Sequence, residues 1–298
     1  MISILIPTYN YSVFKLVENL QQQCAKLAMV YEILVIDDAS TNTNISAENE
    51  EINTLPNCNF LVLKNNIGRS KIRNLLAEKA KYGWLLFLDA DTFPSSSEFI
   101  KNYIASFSED RSVVFGGIKY PNNNLKSESL RHTYGVERES LPLKDRLKHP
   151  YRSFITMAFA IKKEVFNLIQ FNEKLAGYGY EDSVFAFELK ENNISIFHID
   201  NPVLHLNLES NLDFLKKSEL ALQNLLNFYE KSAINANSVK ILKVYLQLKN
   251  ANLLWSMRLF FKVFKTAMLK NLNSTKPSLF LFDLYRLGYL STLTPPNA

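Results

Sequence analysis

Trp84-Leu85-Leu86-Phe87-Leu88 is a run of five large apolar residues that stops on Asp89-Ala90-Asp91. A short apolar run closed by acids reads as a strand buried on both faces, with its carboxyl end open to a cleft. The same pattern recurs upstream. Ile33-Leu34-Val35-Ile36 ends on Asp37-Asp38-Ala39-Ser40, and Ile2-Ser3-Ile4-Leu5-Ile6 ends on the breaker cluster Pro7-Thr8-Tyr9-Asn10. Between these runs the spacing turns helical: Val13, Leu16, Val17, Leu20, Cys24 and Leu27 recur every three or four residues, and Ser70–Lys81 reads as another helix. Asn59–Leu63 supplies a further strand. Strands alternating with helices predict an α/β fold, a doubly wound, mostly parallel sheet with helices on both faces. Such sheets bind ligands beyond the carboxyl ends of their strands, and here those ends carry acids.

Downstream the pattern loosens. Val113-Val114-Phe115 is a strand closed by Gly116-Gly117, and Ile155–Ile161 returns to apolar character. Residues 121–152 are polar and basic and predict a long excursion over the surface. Residues 183–192 suit a helix and 194–199 a strand. After Asn211 only helical segments remain, near 211–231, 238–250, 251–270 and 277–290. The expected organisation is a catalytic α/β domain over residues 1–210 and a C-terminal all-α appendage over 211–298.

Composition narrows the class. The 298 residues carry a net charge of only +5 and are 47 % hydrophobic, which excludes a disordered chain. Two cysteines, Cys24 and Cys58, are too few for a disulfide scaffold and favour a reducing compartment. The start of the chain has neither the basic region nor the cleavage site of a signal peptide, and no apolar stretch reaches the ~18–20 residues of a membrane span. A cytoplasmic protein is expected. Its charge is uneven, however: residues 211–298 hold 12 Lys+Arg against 4 Asp+Glu, whereas the body is slightly acidic. A basic tail calls for an anionic partner.

Three acidic elements bear on chemistry. In Asp89-Ala90-Asp91 the period of two puts both carboxylates on one side of an extended segment. Such a pair is tolerated where a divalent cation or a hydroxyl-bearing ligand offsets the repulsion, although alone it reads equally as a solvated turn. Asp37-Asp38 could be an ordinary cap, but two acidic strand ends in one parallel sheet converge on one cleft. Gly177-x-Gly179-x-Glu181-Asp182 joins a glycine pair to acids that open a helix, where the helix dipole favours negative charge. It is no dinucleotide fingerprint, since no third glycine follows. His205, after Val203-Leu204, would suit a metal held by Asp91, because oxygen ligands plus one imidazole fit manganese. His198 is read as structural.

These motifs together resemble family 2 glycosyltransferases. Pro7-Thr8-Tyr9-Asn10, Asp37-Asp38-Ala39-Ser40, Asn66-x-Gly68 with Arg73-Asn74, Asp89-Ala90-Asp91 and Gly179-Tyr180-Glu181-Asp182 occur in that family's order over residues 1–207. One departure is Ala39, where the family usually has glycine. The resemblance implies a GT-A fold and an inverting transfer from a nucleotide-diphosphate sugar, with UDP-sugars favoured. It implies that Pro7, Tyr9, Asp38 and Asp37 line the base pocket, that Arg73 approaches the nucleotide, and that Asp89 meets ribose or metal. Asp91 and His205 would hold Mn2+ or Mg2+ on the diphosphate. Asp182 would be the general base, with Glu181 holding the acceptor, a glycan or lipid-linked sugar of surface polysaccharide or glycolipid synthesis.

In the appendage, Leu253–Leu269 is mostly apolar and aromatic, and its Arg258, Lys262 and Lys265 form one narrow basic stripe. Such a helix suits a membrane interface with anionic headgroups at the inner face. It equally suits burial against the catalytic domain or a homodimer partner. Nucleic acid is a poor match, because no recognised fold interleaves these basic residues. A sugar-1-phosphate nucleotidyltransferase would want a Gly-rich basic loop after the first strand, and a non-catalytic relative would lack Asp91 or Asp182.

Overall fold

The computed structural model describes residues 1–121, 129–174, 178–206 and 209–293. They gather into two compact units. One combines Met1–Lys119, Ser140–Lys174 and Glu188–Asn207, and the other combines Tyr120–Glu139, Leu175–Phe187 and Leu208–Ala298.

Ten strands among the described residues, all in the first unit, are numbered in chain order: β1 (Ile2–Thr8), β2 (Tyr31–Asp37), β3 (Cys58–Val62), β4 (Trp84–Leu88), β5 (Thr92–Pro94), β6 (Val113–Phe115), β7 (Ile118–Lys119), β8 (Ala158–Lys162), β9 (Ile196–His198) and β10 (Val203–His205). Seven form one sheet in the order β3-β2-β1-β4-β8-β6-β9. The β1 strand lies parallel between β2 and β4, with Ile4 opposite Ile33 and Leu86. Only β8 runs against its neighbours, antiparallel to both β4 and β6. The sheet is therefore mostly parallel, as the apolar runs predict. Its central strands are buried on both faces: Ile4, Leu5, Ile33, Val35, Leu86 and Leu88 are fully inaccessible. Flanking helices supply the cover, Phe14–Lys26 burying Leu16, Val17 and Leu20, and Arg69–Lys79 burying Ile72, Leu76 and Ala77.

A second sheet, β5-β10-β7, is built from strands of only two or three residues. Its function is positional. The antiparallel pairing sets His205 opposite Thr92, beside the end of the Asp89-Ala90-Asp91 segment.

The stretch 121–152 differs from the expected surface excursion. Residues 122–128 lie outside the described residues, but 129–146 fold into a helix Leu130–Tyr134, a π-type turn Gly135–Glu139 and a helix Leu143–Arg146. The reason is that the charged groups of this stretch find partners out of water, some of them far away in sequence. In the second unit Arg131 pairs with Glu139 at 3.0 Å and donates to the Tyr120 hydroxyl at 2.8 Å. In the first unit Arg146 is 2 % exposed and donates to the carbonyls of Leu141, Gly116 and Ile199 at 3.1, 3.2 and 2.8 Å. It also contacts His198 Nδ1 at 3.2 Å, while His198 Nε2 lies 3.0 Å from the Pro150 carbonyl. Because arginine only donates, Nδ1 must accept and Nε2–H must donate. Burial, and then the Arg146 charge, push the His198 pKa down to about 4. His198 is a neutral structural residue.

In the second unit the helices Asn211–Glu230, Lys240–Asn250, Leu254–Leu272 and Leu279–Thr292 match the four expected segments closely. Two starts are explained by capping serines: Ser210 accepts from Asp213 N–H and Ser278 from Leu281 N–H. Phe214, Phe261, Met268, Phe282 and Tyr285 share one apolar cluster. Gly288 lets the last two helices meet, since a Cβ there would fall 2.4 Å from the Phe261 ring.

The expected basic stripe is divided by this packing. Arg258 Nε donates to the Ser291 carbonyl at 2.7 Å and is half-buried, whereas Lys262 and Lys265 are exposed. The apolar arc is divided too. Phe261 and Met268 are buried, but Trp255 is 64 %, Leu259 55 % and Val263 63 % exposed. Among the described residues no helix is long and apolar enough to cross a membrane.

Candidate active site

The first unit brings together eight of the residues singled out from sequence: Pro7, Tyr9, Asp37, Asp38, Arg73, Asp89, Asp91 and His205. The ends of β1, β2 and β4 place the acids, Pro7 and Tyr9, the helix Arg69–Lys79 places Arg73, and the short second sheet places His205. Asp38 N–H donates to the Thr8 carbonyl at 2.8 Å, which ties the end of β2 to the end of β1. Asp37 is fully buried. Its Oδ1 accepts from Ser40 N–H at 2.7 Å, and its buried Oδ2 has no hydrogen-bond partner among the described residues. Asp38 accepts two backbone N–H groups, Ile67 on Oδ1 at 2.7 Å and Gly68 on Oδ2 at 2.9 Å. It thereby fixes the loop that leads into the helix Arg69–Lys79. Pro7 is half-buried at the end of β1, and Tyr9 is exposed beside it.

Two loop residues adopt left-handed backbone, Asn10 at φ 51° and Ala39 at φ 63°. A glycine enters that region without steric cost, which gives a physical reason for the glycine usual at the position of Ala39. Asn10 bridges the two loops. Its Oδ1 accepts from Thr41 and Asn42 N–H at 2.9 and 3.0 Å, and its N–H donates to Ser40 Oγ at 2.7 Å.

The segment after β4 carries the strongest electrostatics. Asp89 Oδ1 accepts from Arg73 Nη2 at 2.6 Å, a charge-assisted bond with the guanidinium almost fully buried. Arg73 also lies over the Phe171 ring at 5.3 Å. Asn74, next in the helix, holds the same segment by bonds to the Phe171 N–H and carbonyl at 3.0 and 2.8 Å. Burial pushes the Asp89 carboxyl above its usual range, and Arg73 opposes that shift.

Asp91 behaves the other way. Its Oδ2 lies 3.2 Å from His205 Nε2. Burial works against its charge, but the His205 hydrogen bond and charge, with Arg69, outweigh burial and hold the carboxyl below its usual range. Asp91 raises its neighbours in turn: the Tyr11 hydroxyl is pushed up by burial and then by the Asp91 charge. Arg69 and Tyr11 escape a reading by motif. Arg69 was nonetheless visible, because Arg69 and Arg73 are four apart and share a helix face. One carboxylate and one imidazole, with a second carboxylate two residues away, form a donor set that suits Mn2+ better than Mg2+, which prefers oxygen ligands alone. Among the described residues no three His, Cys, Asp or Glu side chains stand close enough to hold an ion by themselves. Water and ligand oxygens would complete the coordination.

Glu181 and Asp182 belong to the second unit, where they open the helix Glu181–Glu191. The helix dipole favours both charges at that end. The helix begins at Tyr180, whose carbonyl accepts from Val184 N–H at 3.0 Å. Gly177, the first glycine of the motif, lies outside the described residues.

Comparison with known proteins bears on the family and the fold. The model of a family described as Glycosyl transferase family 2 matches residues 3–169, more than half of the chain. A chondroitin synthase from Escherichia coli is 28 % identical over 222 residues, which cover 63 % of this chain and 32 % of the synthase. The chain thus spans about a third of that relative's length. Among solved structures, the mannosyltransferase PcManGT from Pyrobaculum calidifontis, in complex with GDP-Man and Mn2+, aligns with a TM-score of 0.62 at 16 % identity, covering 98 % of this chain and 86 % of that one. Glucosyl-3-phosphoglycerate synthase from Mycobacterium tuberculosis aligns with a TM-score of 0.50 at 15 % identity, covering 80 % of this chain and 81 % of that one. At such identities the likeness speaks for the fold, which is the GT-A arrangement expected from the motifs. With its acidic strand ends, its mostly parallel sheet and a family match running from β1 through β8, the chain belongs to glycosyl transferase family 2.

Proposed function

We propose that the chain is an inverting glycosyltransferase that moves a sugar from a nucleotide-diphosphate donor, a UDP-sugar by preference, to an acceptor hydroxyl. The observation that carries this reading is the gathering of Asp37, Asp38, Asp89 and Asp91 at neighbouring strand ends, with His205 on Asp91 and Arg73 on Asp89. In this reading Pro7, Tyr9, Asp37 and Asp38 form the base pocket, where a carboxylate oxygen accepts a ring N–H. Arg73 and Asp89 face the sugar-phosphate part of the nucleotide. A divalent cation at Asp91 and His205, with Asp89 adjacent, would supply positive charge to the departing diphosphate. The same-fold mannosyltransferase solved with GDP-Man and Mn2+ is in keeping with such a donor.

Asp182 takes the proton from the acceptor hydroxyl while the oxygen attacks the anomeric carbon, and the bond to the diphosphate breaks with its electron pair on the leaving oxygen. Glu181 holds the acceptor. Direct attack turns an α-linked donor into a β-linked product. Proton NMR of the product from an α-linked UDP-sugar tests this: a β-anomeric doublet is expected, and an α-linked product contradicts inversion.

The chemistry is assigned to residues 1–210 and a surface contact to residues 211–298, with the acceptor a growing glycan or glycolipid at the cytoplasmic face of the membrane. Trp255, Leu259 and Val263 are exposed alongside Lys262 and Lys265, and this pairing of apolar and basic side chains suits an anionic lipid surface. The electrostatic part is worth about 1 kcal/mol per lysine and is screened by salt. Anionic phospholipid vesicles should therefore sediment the protein at low salt and release it at high salt. A protein that stays in the supernatant under both conditions contradicts the lipid contact.

A further inference from the structure

Tyr180 stands immediately before Glu181 and Asp182 with its backbone at φ 66°, and Gly179 before it is at φ 89°. A left-handed backbone is uncommon for a bulky aromatic residue and persists only where the surroundings hold it. Here the holding is done by two helices of the same unit. A Cβ on Gly179 would fall 2.5 Å from Ala221 Cβ, so the helix Asn211–Glu230 presses directly on that glycine. From the same helix Asn224 Nδ2 donates to the Tyr178 carbonyl at 2.8 Å, and Lys217 Nζ sits 5.4 Å over the Tyr178 ring. The helix Leu279–Thr292 provides the last contact: Arg286 Nη2 donates to the Tyr180 hydroxyl at 2.7 Å.

Arg286 is suited to act as a fixed point. Its side chain is largely buried, its guanidinium lies 5.2 Å from the Phe282 ring centre, and Asp283 Oδ1 is 3.7 Å away. A buried guanidinium that keeps its charge presents a rigid donor, and the tyrosine hydroxyl is its hydrogen-bond acceptor here. The Tyr180 carbonyl in turn receives the first hydrogen bond of the helix on which Asp182 sits. Anything that moves Tyr180 therefore moves the start of that helix.

We propose that Arg286 is a positioning residue for the transfer reaction, acting through the Tyr180 hydroxyl to hold the Glu181–Asp182 pair in its working geometry. This rests on the assignment of Asp182 as the base. It gives the C-terminal helices a part in catalysis, separate from any contact with a lipid surface.

The test compares steady-state transfer by Tyr180→Phe, Arg286→Met and Arg286→Lys, each also made in the Asp182→Asn background. Tyr180→Phe removes one oxygen and keeps the ring. It should lower kcat by about 10- to 100-fold, the cost of a small misplacement of a reacting group, with the donor KM unchanged. Arg286→Met should do the same, and Arg286→Lys, which can still donate, should recover part of the loss. In the Asp182→Asn background none of the three should lower the residual rate further, because the group they position is gone. Wild-type kcat in Tyr180→Phe, alongside a large loss in Asp182→Asn, overturns the brace alone. Equal losses with and without Asp182 also overturn it, since they mark general damage to the fold. Full transfer by Asp182→Asn overturns the base assignment, and the brace with it. If Arg286→Met does not fold, Tyr180→Phe decides the matter.

Discussion

Asp182→Asn should lower sugar transfer by about 10²–10⁴-fold, the usual contribution of a positioned general base, while UDP still binds. The amide has the shape of the carboxylate but does not take a proton at working pH, so the substitution removes the chemistry and spares the packing. Asp182 lies in the first turn of the helix Glu181–Glu191, where the helix dipole favours a negative charge by a modest amount and an amide keeps the size and hydrogen-bonding capacity of the side chain. The loss of rate should therefore come without unfolding. Binding should persist because the residues assigned to the nucleotide, Asp37, Asp38, Arg73 and Asp89, come from the strand ends and from the helix Arg69–Lys79. Glu181→Gln should instead raise the acceptor KM more than it lowers kcat. An Asp182→Asn protein that transfers sugar at the wild-type rate assigns the base to another group.

The parts of this site that could be read from sequence are those where strand and chemistry are adjacent in the chain. A buried parallel strand needs a continuous apolar run, so Ile33–Ile36 and Leu85–Leu88 announce themselves, and the acids after them necessarily fall at strand ends. The helices after Asn211 were equally visible, because each is long enough to repeat its apolar spacing several times. What was hidden depends on partners far away in sequence. The association of His205 with Asp91 was expected, but the strands that make it, Thr92–Pro94 and Val203–His205, have three residues each, too few for a pattern. The direction of β8 is invisible in its own residues, which are apolar in either sense. Residues 129–146 read as solvated because charge usually means water, but Arg131 and Arg146 find their partners inside. The bond from Arg286 to Tyr180 joins residues 106 apart, and neither side chain hints at the other.

Above all, the acids at the strand ends are assigned to bind a nucleoside diphosphate together with a divalent cation. A ligand that binds only the folded state stabilises it by RT ln(1 + L/Kd) at free ligand concentration L, about 2.7 kcal/mol at 100 times its Kd. Asp91 Oδ2 lies 3.2 Å from His205 Nε2, and that contact helps hold its carboxyl below the usual range. The decisive measurement is thermal unfolding with UDP in the presence of Mn2+ and again in EDTA, for the wild-type chain and for Asp91→Asn. A large rise in Tm is expected with UDP and Mn2+, a small rise in EDTA, and no difference between the two conditions in Asp91→Asn. Equal stabilisation of the wild-type chain by UDP with Mn2+ and with EDTA would contradict the assignment.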